Sequence, residues 1–280
     1  MEHSYKKTRK LADQVEKDML EGREFKGLET AFEGLDLYFE GLDAGELILI
    51  GGRPSMGKTG FAISMIKNLC LDGDKSCLYF TLGESPKMLM ERMIETVAMV
   101  DRARSKGLSE AEKKEVKKTT NNIRKSKLII ESKSVSINKI IRKCIKYSMK
   151  EKPDFIVVDY LQLIYSKKSK SDEDKYRSYV KKLRKTARLI QCPIILLTQL
   201  PRTVEEREDH RPVLNDLRGY GLIEMYADKV IFLYRDEYYD YDTERKGIVD
   251  VTVAKNKNGT IGTIPLAHLG RGLMVSIPMD

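Results

Sequence analysis

The sequence predicts an α/β fold: a mostly parallel sheet flanked by helices, with antiparallel edge strands at the C-terminal end. Three observations carry this. Short apolar runs alternate with stretches whose apolar residues recur at helical spacing. A glycine-rich loop ending in lysine and threonine, Gly51 to Gly60 (GGRPSMGKTG), lies between a strand-like and a helix-like run. Near the end of the chain, Asn258-Gly259 separates two further strand-like runs, a strong hairpin signal.

The glycine-rich loop organises the rest. Glu46 to Ile50 reads as a short buried strand, and Phe61, Ile63, Met65 and Ile66 begin a helix. Between them, Gly52, Gly57, Lys58 and Thr59 fit the phosphate-loop pattern G-x-x-x-x-G-K-[ST]. Glycine allows backbone N–H groups to turn inward on phosphate oxygens with no Cβ in the way. The helix N-terminus favours the same anion. The expected nucleotide-binding stretch is Gly52, Arg53, Pro54, Ser55, Met56, Gly57, Lys58, Thr59 and Gly60. Lys58 brings a point charge to the β- and γ-phosphates of ATP, and the Thr59 hydroxyl is a ligand for Mg²⁺.

The elements follow in order. Residues 1 to 24 are charged, with a thin apolar stripe at Leu11, Val15 and Met19, which predicts a linker-type helix that docks elsewhere or frays. Leu28 to Leu42 reads as a loop and short helix. Ser76 to Leu82 is a buried strand, Glu84 to Val100 a helix, 101 to 127 solvated surface, Lys127 to Ile130 a strand and Val135 to Tyr147 a helix. Phe155 to Asp159 is an apolar run ending in an acid. A carboxylate at a strand's carboxyl end, about a hundred residues after a phosphate loop, suits a Walker B aspartate sharing Mg²⁺ with Thr59. Ser166 to Lys175 reads as a polar loop, Tyr176 to Ile190 as a helix and Pro193 to Leu197 as a strand. Gln199, just past that strand, is placed to sense a γ-phosphate or to serve as a polar cap. Val230 to Tyr234, Ile248 to Ala254 and Thr263 to Leu266 are the last strands.

Composition narrows the class. The chain has 280 residues, 41% hydrophobic, enough for a sizeable core. Lys plus Arg outnumber acids 51 to 42, a net +9, which fits either a nucleic-acid partner or a plain basic protein. Cys70, Cys77, Cys144 and Cys192 form no CxxC pair and read as reduced, buried residues. His3, His210 and His268 are too scattered to suggest a zinc site. With no signal peptide and no apolar run of membrane length, a cytoplasmic protein without a membrane partner is expected.

Several motifs in order resemble the motor domain of DnaB-type replicative DNA helicases. They are RPSMGKT (Arg53 to Thr59), FTLGES (Phe80 to Ser85), VVDYLQLI (Val157 to Ile164) and LTQLPRTVEER (Leu197 to Arg207). RPVLNDLRGYGLIEMYAD (Arg211 to Asp228), YRDEYY (Tyr234 to Tyr239) and AKNKNGTIGT (Ala254 to Thr263) complete the set. The resemblance implies a RecA-like phosphate-loop ATPase over residues 25 to 280. It also implies a homo-oligomeric ring, usually of six, with ATP between neighbours, single-stranded DNA in the channel and a helicase loader as partner. It carries over Lys58, Thr59, Asp159 and Gln199 as catalytic or metal-binding residues. The DLRGYG segment matches the channel loop, so Arg218, Gly219 and Gly221 are expected near DNA phosphates, and Lys167, Lys168 and Lys170 on a second channel loop.

Four positions depart from the family. The glutamate that polarises water is replaced by Gly83, with Glu84 next; a related branch of RecA-like ATPases has two adjacent carboxylates here, and Glu84 matches the second. Lys255 matches the cation that reaches a neighbour's γ-phosphate, whereas Lys257 replaces the arginine finger and lacks its fork. Gly219 stands where the channel loop usually carries glutamate. The N-terminal domain that normally helps bind primase has no counterpart, so a primase partner is not carried over. Two readings follow: an ATP-driven DNA helicase or translocase, or a catalytically weakened accessory protein that joins a helicase ring or DNA.

Overall fold

A computed structural model describes residues 27–278 except 102, 104–106, 134 and 166–170, together with 9, 10, 12, 13, 15–17 and 20. The described residues of the N-terminal segment are helical, and Val15 is 47% exposed. Leu11 and Met19, the other members of the expected stripe, lie outside the described residues. No helix among the described residues is long and apolar enough to cross a membrane.

A short helix α1 (Glu33–Phe39) leads into β1 (Leu47–Gly52), every residue of which is buried. A strand rich in Leu and Ile that is buried on both faces belongs in the middle of a helix-covered sheet. The sheet has nine strands in the order β3-β2-β4-β5-β1-β6-β7-β8-β9. The others are β2 (Ser76–Thr81), β3 (Lys127–Glu131), β4 (Phe155–Asp159), β5 (Ile194–Gln199) and β6 (Lys229–Tyr234). Pairing is parallel from β3 across to β6. The remaining strands, β7 (Ile248–Asn256), β8 (Gly262–Leu269) and β9 (Leu273–Ser276), extend the sheet antiparallel.

Helices cover both faces. On one side lie α1, α2 (Lys58–Ile66, continued by a π turn to Leu71), α3 (Pro86–Ala98) and α4 (Glu110–Lys125), over a core that includes Phe61, Met65, Tyr79 and Met93. On the other lie α5 (Ile137–Lys150) and α6 (Asp172–Ile190), over Ile140, Cys144, Val180 and Leu183. All four cysteines are buried and free, and burial pushes the thiols of Cys70, Cys144 and Cys192 up to about 12.

Two differences from the sequence reading have plain causes. α6 starts at Asp172, inside the expected loop, because the Ser171 hydroxyl accepts from the Asp174 N–H and three acids favour the positive end of the helix dipole. β9 has only four residues, too short to stand out in the sequence. It forms because the β8–β9 turn folds it back onto its neighbour and onto α2, where the Met274 N–H donates to the Ser64 hydroxyl at 2.8 Å.

Candidate nucleotide site

The parallel register aligns the carboxyl ends of β1, β2, β4 and β5, where chemistry collects in open α/β sheets. β1 ends at Gly52, and the loop turns through Gly57 at φ +90°, a left-handed conformation that favours glycine, before α2 begins at Lys58. The Lys58 ammonium donates to the carbonyls of Gly52 and Arg53, each at 2.8 Å, and so closes its own loop. Burial pulls its pKa down to about 8, against the opposing pull of Asp159.

Asp159 closes β4. Its Oδ2 accepts from the Thr59 hydroxyl at 2.9 Å and from the Tyr79 hydroxyl at 2.6 Å. Tyr79 is fully buried, and burial with the adjacent carboxylate raises its pKa well above that of a free phenol, so it stays a donor. The Leu82 N–H donates to the Asp159 carbonyl at 2.9 Å, and the Thr81 hydroxyl to the Glu84 carbonyl at 2.9 Å. These two bonds pin the turn after β2. Ser85 then caps α3 by accepting from Met88 N–H, with Pro86 at the first helical position. Glu84 is thereby held over Asp159 with its carboxylate 13% exposed, and Arg92, one face along α3, lies 3.2 Å from it. Burial raises the Glu84 pKa, Arg92 lowers it and Asp159 raises it.

Thr59, Thr81, Gly83, Glu84, Arg92, Asp159 and Tyr160 line a recess of about 170 Å³. Among the described residues, no group of three or more His, Cys, Asp or Glu stands ready to hold a metal. The donor set of one hydroxyl and one carboxylate suits Mg²⁺, which keeps few protein ligands and completes its shell with phosphate oxygens and water. A loop with inward amides and a lysine supplies the phosphate side. Nucleotide and Mg²⁺ therefore fit the residues present.

Neighbouring groups hold this frame. Gln199 lies beside Gly52 in the β1–β5 register. Gln162 clamps its main chain: the Gln162 amide donates to the Gln199 carbonyl at 2.9 Å, and the Gln199 N–H donates back to Gln162 at 3.1 Å. Arg53 is buried, donating to the Leu200 carbonyl at 2.8 Å and to Glu205 at 3.0 Å. Arg235 donates to the Ser55 carbonyl at 3.2 Å. Pro54 and Ser55 are exposed at the loop rim, and Met56 is buried.

Residues 27–273 match the family described as the DnaB-like helicase C terminal domain. The chain belongs to that family. Replicative DNA helicase DnaC of Bacillus subtilis (strain 168) is 35% identical over 248 residues, 87% of this chain and 55% of that protein. Replicative DNA helicase DnaB of Geobacillus stearothermophilus is 34% identical over 259 residues, 90% of this chain and 57% of that protein. The chain thus spans about half the length of the curated relatives it matches. Among solved structures, a DnaB-like replicative helicase described with its interactions with primase superposes with a TM-score of 0.88 at 31% identity, covering 96% of this chain and 66% of that one. A separately solved ATPase domain gives the same TM-score of 0.88 at 32% identity, covering 97% of this chain and 98% of that one. The fold is the RecA-like ATPase fold of this DnaB-like family.

The other expected site residues of this DnaB-like domain fall away from the recess. Lys255 and Lys257 lie at the end of β7, which runs antiparallel and pairs with the start of β6, at the opposite edge of the sheet. A strand of this length separates them from the phosphate loop by about 15 Å or more. The Lys255 ammonium donates to the carbonyls of Glu224 and Ala227, both at 2.8 Å, and burial lowers its pKa; Lys257 is exposed. Arg218 and Gly219 are exposed on a 3₁₀ turn. Gly221 is buried instead: its N–H goes to the Arg218 carbonyl, its own carbonyl accepts from Arg177, and a Cβ would lie 2.4 Å from the Glu173 carbonyl oxygen. It packs closely on α6. Lys167, Lys168 and Lys170 lie outside the described residues.

Sequence reasoning missed Tyr79, Arg92, Gln162 and the Arg53–Glu205 pair as parts of the site. Tyr79 and Thr81 alternate on one face of β2 and could have been read as polar groups at a strand's carboxyl end. Arg92 and Gln162 left no such signal, because only the crossing of separate elements brings them to Glu84 and Gln199.

Proposed function

We propose that this chain is the ATP-hydrolysing motor of a DnaB-type replicative helicase, moving on single-stranded DNA as a homo-oligomeric ring, usually of six, in the cytoplasm. One observation supports it above others: Lys58, Thr59, Asp159 and Glu84 converge at one sheet edge, while the exposed Lys257 stands at the opposite edge. A site divided in this way is completed by a second copy.

Lys58 leaves its loop carbonyls for the β- and γ-phosphates of ATP. Thr59 and Asp159 would hold Mg²⁺, which would supply neutralisation of charge on those phosphates. Tyr79 fixes the Asp159 carboxylate from below. Glu84 accepts the proton of the attacking water, with Arg92 favouring its ionised form against the effect of burial. Gln199, held by Gln162, relays the state of the γ-phosphate. Lys257 of the neighbouring subunit reaches the phosphate, joined by Lys255 once it is released from Glu224 and Ala227. Arg218 and Gly219 grip the DNA backbone without reading sequence, which makes binding salt-sensitive. A helicase loader is the expected protein partner.

The second reading, a catalytically weakened accessory protein, draws on Gly83 and Lys257. Neither supplies the group found at those places in the family, and Lys257 lacks the bidentate fork of arginine. One assay separates the readings. Turnover of ATP is measured with and without single-stranded DNA, beside a sizing measurement with and without ATP. The motor reading expects DNA-stimulated turnover that Lys58→Ala abolishes. Nucleotide binding with no turnover would sink it in favour of the accessory reading.

A further inference from the structure

Helices α5 and α6 pack side by side on one face of the sheet and carry a one-sided charge. α5 has five cations and no acid. α6 has seven cations, and no acid after Asp174. Part of this charge is used internally. Arg184 donates to Asp228 at 2.8 Å with Arg188 3.7 Å away, Lys143 pairs with Glu131 at 2.8 Å, and Arg177 donates to the Gly221 carbonyl at 3.0 Å. The rest is unspent. Lys139, Arg142, Lys146, Lys150, Lys182 and Lys185 are exposed and form no ion pair within 4 Å among the described residues, although the charge of Lys146 also acts at longer range on Glu131. Lys181 rests over the Tyr226 ring, 4.8 Å from its centroid.

A charged helix face usually needs only water, and α4 on the opposite side shows what that looks like here. Its acids and bases interleave, with Lys113–Glu110 at 2.7 Å and Lys118–Glu115 at 3.9 Å. On α5 and α6 the same spacing places like charges together, at Arg142, Lys146 and Lys150 and at Lys181 and Lys185. Such pairs repel and weaken a helix. A multivalent anion laid across both helices relieves that repulsion.

Shape and continuity indicate which anion. Asp174, Arg177, Ser178, Lys181, Lys182 and Lys185 line a shallow recess of about 350 Å³. It begins beside the exposed Arg218 turn, joined to it by the Arg177–Gly221 bond and by the Tyr176–Tyr220 edge-to-face contact at 5.4 Å. Successive cations four residues apart stand about 6 Å apart along the helix, close to the spacing of phosphates in an extended strand. We propose that the α5–α6 face is a second nucleic-acid contact, which holds phosphodiester backbone outside the Arg218 turn and without reading sequence. This goes beyond the proposed motor function and uses its DNA-gripping turn only for the direction of the path.

The test is the triple charge reversal Lys146→Glu, Lys182→Glu and Lys185→Glu in the full chain. All three side chains are exposed and away from the nucleotide recess, so the thermal transition and DNA-free ATP turnover should match the parent. Binding of labelled oligothymidine, of a labelled duplex and of labelled polyglutamate is followed by anisotropy across a salt series. Each lost single-strand contact takes about 0.7 from the slope of log affinity against log salt, so the triple variant should be shallower by about 2. At about 0.1 M salt its affinity should fall about tenfold or more. Loss on both nucleic-acid probes or on one of them alone supports the proposal and identifies the strand form held. Unchanged affinity and slope on both nucleic-acid probes overturns it, and a loss confined to polyglutamate would assign the face to an acidic protein instead. Arg218→Ala separates the two ideas. If it weakens binding and the triple variant does not, only this inference fails; if only the triple variant weakens binding, the reading of the Arg218 turn fails. A parent chain that binds neither nucleic-acid probe defeats both.

Discussion

Arg92 on α3 lies 3.2 Å from the carboxylate of Glu84, and the pair forms one wall of the recess that also holds Thr59 and Asp159. Glu84 thus places a carboxylate one residue after Gly83, where burial raises its pKa and Arg92 opposes that rise. Replacing Glu84 with Gln should lower kcat about a hundredfold or more, the usual worth of a general base, while nucleotide affinity holds. A variant that turns over ATP at the parent rate would remove Glu84 from the chemistry.

The same pair sets a pH dependence. Burial is the largest influence on Glu84 and raises its pKa, Asp159 raises it further, and Arg92 opposes both. A base acts deprotonated, so turnover is lost as pH falls through this raised value, at a higher pH than for an ordinary carboxylate. Arg92→Ala removes the opposing charge and should move the acid limb of the kcat profile to still higher pH; Arg92→Lys should hold it. A limb that stays in place in both variants contradicts the role given to Arg92.

Lys58 provides a second titration. Its pKa in the free protein is drawn down to about 8 by burial. Phosphate binds the protonated form, so below that pH affinity should be insensitive to the titration of Lys58. Above it, binding must take up a proton, and affinity should fall as pH rises. Calorimetry at about pH 9 in buffers of different ionisation enthalpy reads the uptake directly. No uptake, or uptake unchanged in Lys58→Met, contradicts the assignment.

Tyr79→Phe removes a 2.6 Å bond to the Asp159 carboxylate and nothing else of its shape. Hydrogen bonds to charged groups are worth about 1.5–3 kcal/mol, so the unfolding free energy should drop by about that much. Mg²⁺-dependent nucleotide binding should weaken as well, because Asp159 loses one of the two donors that orient it. An unchanged denaturation midpoint would show that the bond contributes little.

Gly83→Ala should be mild. The added Cβ meets the Cδ1 of Leu163 at 2.8 Å, the far end of a half-exposed flexible side chain, and Gly83 is not among the residues with positive φ. The cost should stay within about 1 kcal/mol, with turnover preserved because Glu84 remains. Loss of turnover with intact nucleotide binding would place the critical geometry at Gly83 itself.

Much of this molecule is written locally. Leu47 to Ile50 and Phe155 to Val158 are apolar without interruption, as central strands of a helix-covered sheet must be. Gly57, Lys58 and Thr59 announce a phosphate loop, because so few residue types allow a chain to wrap an anion. The Asn258-Gly259 turn predicts the antiparallel pairing of β7 with β8, which the register confirms. The start of α6 falls inside an expected loop because acids read as loop until Ser171 is seen to cap them. β9 escapes notice because four residues carry too little pattern.

The sequence by itself determined the fold class, the phosphate loop and the acid at the end of β4, because each depends on neighbours in the chain and on periodicities of about two and 3.6. Only the tertiary structure decided that Tyr79 and Thr59 share one oxygen of Asp159, that Glu84 stands over them against Arg92, and that Lys255 and Lys257 occupy the other sheet edge. Those relations join residues that are far apart in the chain or on separate elements. They are fixed by strand order and register, which no local pattern encodes.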